Sequence, residues 1–263
     1  MLKDYRGRFP FKLATTSYIY PDEIVPNVVR LGPFFDEIEL VLFESKGQDS
    51  IPDDRQINQL IDLSHLHRVG FNIHLPIDIF LGDESEKVRA AGVSVVKRVI
   101  QKTLRLNPSF YVLHLDPRNK NGREATDIQA WRNDLIGCLK EIVDGGIESK
   151  QIAIETLGYP FEWIEDIVMD FGFSICLDIG HILIHGYDLG HYLKTYLPGT
   201  SIIHLHGVHK DSDHLSIETL PGPDLTLILS TLHHFRGIVS IEVFSIDALK
   251  SSLSILEKKW ITN

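Results

Sequence analysis

Cysteine is almost missing: there are two in 263 residues, Cys138 in a helical pattern and Cys176 inside an apolar run. That argues against a disulfide framework or a thiolate zinc knuckle, and both read as small buried hydrophobes. Long apolar runs are missing too. None approaches the ~20 residues of a membrane span, and the opening MLKDYRGRFPFKL lacks the apolar core of a signal segment. A reducing, cytoplasmic location is the resulting expectation. Basic charge is scarce, with 26 Lys and Arg against 36 Asp and Glu and a formal net charge of -10. A general nucleic-acid binder, which needs a basic stripe, is therefore not expected. No Gly-rich phosphate loop follows the first apolar run, which counts against an open dinucleotide-binding sheet. No linker or low-complexity segment interrupts the chain, so a single domain over residues 1–263 is expected.

What the chain has is alternation. Apolar runs that read as strands lie at Lys12–Ser17, Glu37–Phe43, Phe71–Leu75, Phe110–Leu115, Gln151–Glu155, Phe173–Leu177, Ser201–His206 and Gly237–Val243. Between and after them, helical spacing covers Asp22–Arg30, Asp53–Val69, Glu84–Leu104, Ala125–Val143, Phe161–Phe171, Leu189–Leu197, Leu225–His234 and Ile246–Trp260. Asp22 is available to cap the first helix, with Pro26 in its first turn, and Gly145-Gly146 ends the fourth. Strand–helix alternation of this kind builds a parallel sheet, and eight units close it into an α/β (β/α)8 TIM barrel.

Histidine is the compositional anomaly, with 13 copies. His181, His185, His191, His204, His206, His209 and His214 crowd one stretch of the chain. At its head is Ser174–His185, SICLDIGHILIH, in which an apolar run stops at Asp178-Ile179-Gly180-His181. Gly180 lets the backbone bend so that a carboxylate and an imidazole can face one point. A plainer reading is a turn whose Asp caps a helix. Other runs end the same way, however: the polar residues near the strand ends are Glu39, His74, His114, Glu155, Asp178, His206 and Glu242. In a barrel these tips share the C-terminal mouth, and such groups are costly on buried strands unless paired or bound to metal. Oxygen and imidazole donors without thiolate suit Mn²⁺, Zn²⁺, Co²⁺, Fe²⁺ or Mg²⁺. There are more of them than one ion takes, so a cluster of two or three ions is expected.

The order Glu39, His74-Leu-Pro, His114, Glu155, Asp178-x-Gly-His181, His206 and Glu242 resembles the xylose isomerase-like barrel superfamily, which includes sugar isomerases, epimerases and metal-dependent AP endonucleases. The resemblance implies that Glu155, Asp178, His206 and Glu242 hold one ion, as in the isomerase branch. It implies that His74, His114 and His181 extend the site, as in the endonuclease branch. After the seventh strand this chain reads Lys210-Asp211-Ser212-Asp213-His214 where the endonucleases have Asp-x-His, and Asp211, Asp213 and His214 all stay open as the completing ligand. A narrower resemblance, to the cobamide-remodelling phosphodiesterases, rests on Thr15-Thr16-Ser17-Tyr18-Ile19-Tyr20-Pro21, on Asp36 through Glu44, and on Asn72-Ile73-His74-Leu75-Pro76.

These resemblances imply a divalent-metal-dependent hydrolase, with Mn²⁺ or Zn²⁺, that opens the nucleotide loop of cobamides and releases cobinamide. Glu155 is expected to bridge two ions. Glu155 and Glu242 are the catalytic carboxylates, and Glu39 is either a ligand or the orienter of one. Tyr18, Tyr20, His204, His209 and Asp211 are assigned to substrate. Arg118 and Lys120 can meet phosphate, and His185 and His191 can also touch substrate. Two other enzymes stay open: a sugar isomerase or epimerase with one metal, using Glu155 and Glu242 as acid and base, and DNA repair at abasic sites. A non-catalytic metal-dependent binding barrel is the remaining alternative. The expected partner is a small molecule, either a cobamide or a sugar or sugar phosphate. Neither nucleic acid nor membrane is expected.

Overall fold

A computed structural model describes residues 2–43 and 51–261; Glu44, quoted above, lies outside them. Strands β1 (Lys12–Thr16), β2 (Glu37–Val41), β3 (Gly70–His74), β4 (Tyr111–Leu113), β5 (Ile152–Glu155), β6 (Ser174–Asp178), β7 (Thr200–Leu205) and β10 (Ile238–Ile241) form a closed parallel barrel. The register Lys12↔Ile238 through Thr15↔Ile241 closes it. Around it run α1 (Ile24–Leu31), α2 (Asp54–His67), α3 (Glu86–Thr103), α4 (Ile128–Val143), α5 (Glu165–Phe171), α7 (Leu189–Tyr196), α8 (Gly222–Leu232) and α9 (Ile246–Ile261). No helix is long and apolar enough to cross a membrane among the described residues.

Local chemistry sets the boundaries. Asp53 and Gln56 form a reciprocal capping box that starts α2, and Asp127 caps α4 by accepting from the Ala130 amide. Leu189, Tyr192, Leu193 and Tyr196 recur at helical spacing and bury one face of α7. Asp22 does not cap α1: Glu23 holds that position without a side-chain bond. Asn27 ties down this turn instead, taking the Tyr20 amide on Oδ1 and donating Nδ2 to the carbonyls of Tyr20, Asp22 and Glu23.

Two elements depart from simple alternation. A short helix, α6 (Ile179–Ile184), follows β6 directly. An antiparallel hairpin of β8 (Gly207–His209) and β9 (Ser212–Leu215) follows β7. Both stand at the C-terminal mouth.

The barrel interior is layered. Ala14, Val112, Ala153, Cys176, Ile202 and Ile238 form a dry floor of small and branched side chains. Side chains along a strand alternate faces with a period of two. Two residues onward from that floor therefore come Thr16, His114, Glu155, Asp178, His204 and Ser240, and after Ser240 comes Glu242. The fold thus lifts a ring of polar groups onto an apolar plug.

Candidate metal centre

Glu155 is the hub. Its Oε2 lies 2.7 Å from His114 Nε2 and 3.1 Å from His74 Nε2. Its Oε1 lies 3.3 Å from His204 Nδ1 and 3.5 Å from His181 Nδ1. Each carboxylate oxygen therefore meets a different set of imidazoles. His74, His114 and Glu155 converge, as do Glu155, Asp178, His204 and Glu242, with donor atoms within 4.8 Å of one another in each group. His181, His206 and His214 form a further such group.

The sequence reading put His206 with the carboxylates and His204 with the substrate. In the structure His204 joins Glu155, Asp178 and Glu242, while His206 meets Asp178 alone and groups with His181 and His214. His204 has no exposed surface, and its Nδ1 faces Glu242 Oε2 at 3.0 Å and Asp178 Oδ2 at 3.8 Å. The reason is register: His204 is the Cα partner of Asp178 on one side and of Ser240 on the other, whereas His206 lies beyond the end of β7. Glu39 sits across the His204 ring, 2.9 Å from Nε2, and its other oxygen accepts from Ser240 Oγ at 2.5 Å. Asp178 caps α6 through the His181 amide at 2.7 Å while belonging to the cluster. The helix-cap reading and the ligand reading of this motif thus coexist.

Other assigned residues scatter. Tyr18 is half-buried against Phe43, which meets Phe244, which meets His214, with ring separations of 4.7, 5.7 and 5.1 Å. Tyr20 is turned to α1, under the Arg30 guanidinium. His209 and Asp211 are exposed on the hairpin, whereas Asp213 reaches His214 Nδ1 at 2.8 Å. His191 is exposed and faces Glu162 at 3.7 Å, and Lys120 is exposed. Arg118 is held by Asp116 at 2.6 Å. His185 lies over Gly158, where a Cβ would come within 2.6 Å of its Nε2.

A cavity of about 560 Å³ opens beside His114 and His181, walled by Ile77, Leu157, Tyr159, Trp163 and His185. A cleft of similar size, about 570 Å³, lies at the opposite barrel end between Lys12, Ser109 and Arg236. None of its lining residues belongs to a described cluster of metal-competent donors.

The centre balances buried charge with imidazolium. Burial opposes ionisation of Glu155, but His114 and His204 hold its carboxyl well below the usual range. Burial likewise opposes ionisation of Glu242, and His204 and His214 hold it well below. Burial disfavours charge on His74, yet Glu155, Glu39 and Glu242 push it up to about 9. His214 is also lifted to about 9, against burial, by Glu242 and then Asp213. His204 is raised well above its ordinary value by Cys176, Glu242, Glu39 and Glu155, again against burial.

These residues fit divalent ions. Glu242 Oε2 is buried and makes no aligned hydrogen bond, despite lying 3.0 Å from His204 Nδ1. Donors this close and this poorly aligned for hydrogen bonding are what a shared cation would satisfy. The set is entirely oxygen and imidazole nitrogen, which suits Mn²⁺ or Zn²⁺.

Comparison with known proteins agrees with this architecture. The family model described as xylose isomerase-like TIM barrel matches residues 25–259. The chain is similar in structure to a D-tagatose 3-epimerase-like protein, with TM-score 0.75 and 21% identity over 95% of this chain and 99% of the other. It is similar to endonuclease IV from Thermus thermophilus, with TM-score 0.70 and 14% identity over 95% and 99%. It is also similar to the IolI protein with a bound zinc atom, with TM-score 0.69 and 18% identity over 96% of each chain. No curated protein matches the sequence.

Proposed function

The chain belongs to the xylose isomerase-like TIM-barrel family, and from that premise we propose that it is a divalent-metal-dependent phosphodiesterase that opens the nucleotide loop of cobamides and releases cobinamide. The observation that carries this reading is the division of Glu155, with one oxygen facing His74 and His114 and the other facing His204. A carboxylate so placed would be shared between two ions, one on each oxygen's side. His74, His114 and Glu155 would hold one; Glu155, Asp178, His204 and Glu242 would hold the other. When bound, such ions acidify water and neutralise charge on a phosphate.

The chain's own residues do the rest. Asp178 keeps its orientation through the α6 amide. The floor beneath the cluster is apolar and keeps water out from below. Tyr159, Trp163 and Leu157 offer an apolar wall beside His114 and His181, which suits the flat ring of a nucleotide. The bound zinc of IolI supports zinc as one of the candidate ions.

A second reading, a sugar isomerase or epimerase, is favoured by one observation: Glu155, Asp178, His204 and Glu242 converge with donor atoms within 4.8 Å of one another, enough to hold a single ion. The D-tagatose 3-epimerase-like relative supports it. Repair of abasic DNA fits less well with a net charge of -10.

Metal content of the purified protein, followed by incubation with a cobamide plus Mn²⁺ and mass analysis, separates these readings. Two or more ions per chain and appearance of cobinamide support the phosphodiesterase. One ion, an intact cobamide and conversion of keto-sugars overturn it.

A further inference from the structure

His206 stands in the same group as His181 and His214, and its position invites the role of ligand. We propose instead that His206 ligates no ion and is a positioning residue, a neutral ring whose Nε2–H holds Asp178 in place.

The hydrogen bonds around the ring decide the tautomer. The main-chain amide of His214 points at His206 Nδ1 from 2.9 Å. A backbone amide has only a proton to offer, so Nδ1 must present its lone pair. The Gly207 carbonyl also lies 3.2 Å from Nδ1, but a nitrogen that accepts one bond cannot donate another. The ring proton therefore resides on Nε2. That nitrogen lies 3.1 and 3.3 Å from the two oxygens of Asp178. Both nitrogens are committed, and ligation through either would require breaking the amide bond or removing the ring's last proton.

The neighbouring rings are set the other way. His74 directs Nδ1 at the Leu75 carbonyl, 2.9 Å away, and its Nε2 at Glu155. His181 directs Nδ1 at the Thr156 carbonyl, 3.1 Å away. In these rings a carbonyl accepts the Nδ1 proton, and Nε2 is the nitrogen left to serve the centre; in His206 an amide takes the Nδ1 lone pair and the Nε2 proton serves the centre.

Packing fixes the arrangement. The ring is wholly buried. It lies against Gly180, where a Cβ would come within 1.9 Å of its Cε1. It stacks on the His214 ring at 4.4 Å and 14°. Through His206, the β8–β9 hairpin is tied by its main chain to a carboxylate of the centre. Any third ion would then rest on His181 and His214, with Asp213 beside the latter, and not on His206.

Tautomers are read directly by long-range ¹H–¹⁵N correlation on the full chain with ¹⁵N-labelled histidine, before and after Zn²⁺, with His206→Gln used to assign the signals. The expected result is a neutral His206 protonated at Nε2 in both states, with nitrogen shifts that do not move on Zn²⁺ addition. An Nδ1–H tautomer, or a coordination shift at His206, overturns the proposal. A second arm counts Zn²⁺ per chain and measures affinity. His206→Gln, which keeps an N–H for Asp178, should retain the wild-type ion count with affinity within tenfold. His206→Leu should keep the count while affinity falls roughly 10–100-fold. Loss of one ion equivalent in His206→Gln overturns the proposal. This inference rests on the metal-centre reading only in its second arm. Failure to cleave cobamides would defeat the proposed function and leave both arms standing, and failure to bind Zn²⁺ would still leave the metal-free tautomer to decide.

Discussion

Gly180 lies flat beneath the imidazole of His206: a Cβ there would stand 1.9 Å from Cε1 and 2.3 and 2.4 Å from the two ring nitrogens. Helix propensity alone would favour alanine at this place in α6 by about 1 kcal/mol. The overlap outweighs it, because His206 is fully enclosed and has no space to retreat. Gly180→Ala should lower stability by about 1–2 kcal/mol net, read as a shift of the urea midpoint at unchanged m-value. A neutral or stabilising result would mean that the ring moves freely.

Glu155→Gln removes the single negative charge that the carboxylate would share between the two donor groups. Turnover should fall by at least roughly 100-fold. Metal analysis should show fewer ions per chain, while far-UV circular dichroism stays that of the wild type. The barrel persists because Glu155 stands above the apolar floor and not within it. A variant that keeps most of its activity would remove Glu155 from the hub.

Glu39 reaches His204 Nε2 and takes a hydroxyl from Ser240. An ion on His204 would take Nδ1, which faces Glu242 and Asp178, and leave the ring proton on Nε2 toward that carboxylate. Glu39→Gln should therefore weaken Zn²⁺ or Mn²⁺ binding roughly 10–100-fold without changing the number of ions at saturation, as measured by calorimetric titration. A lost equivalent would make Glu39 a direct ligand.

His74 is pushed up to about 9, with burial opposing and Glu155, Glu39 and Glu242 prevailing. A raised folded-state value stabilises the fold fully below the unfolded histidine value of ~6.5 and is lost as pH rises through about 9. Protein stripped with a chelator should thus melt at a lower temperature at pH 9.5 than at pH 6. An ion must displace the same protons. Zn²⁺ binding at pH 7.5 should release protons, seen as a binding enthalpy that depends on the buffer's ionisation heat. Identical enthalpies in two buffers would contradict the charge state assigned to the centre.

The architecture was legible because buried strands and amphipathic helices alternate with clear periods. Polar strand ends were legible because a charged group after an apolar run is rarely accidental. The choice between His204 and His206 was not. The two share one face of His-Leu-His, and only the pairing of β7 with β6 and β10 decides which is level with Asp178. The Asp-x-Gly-His stretch gave the need for glycine but not its cause, which is a ring arriving from another strand. The β8–β9 hairpin was hidden because its turn uses Lys210 at φ 55 and its return strand has His214 at φ 52, positions where glycine would have advertised the bend. Tyr20 looked like a mouth residue because it follows β1, yet it is claimed by Arg30.

The hairpin grips the centre through one residue, His214, by its amide and by its ring. Its tip, with the exposed His209, Lys210 and Asp211, stands apart from that anchor. Such a loop is a natural graft point. Its sequence can drift, or be rewritten by design, so that the surface around the mouth changes while the anchored ring below registers nothing. Diversity at the entrance and constancy at the core can then evolve on separate schedules within a few residues of each other.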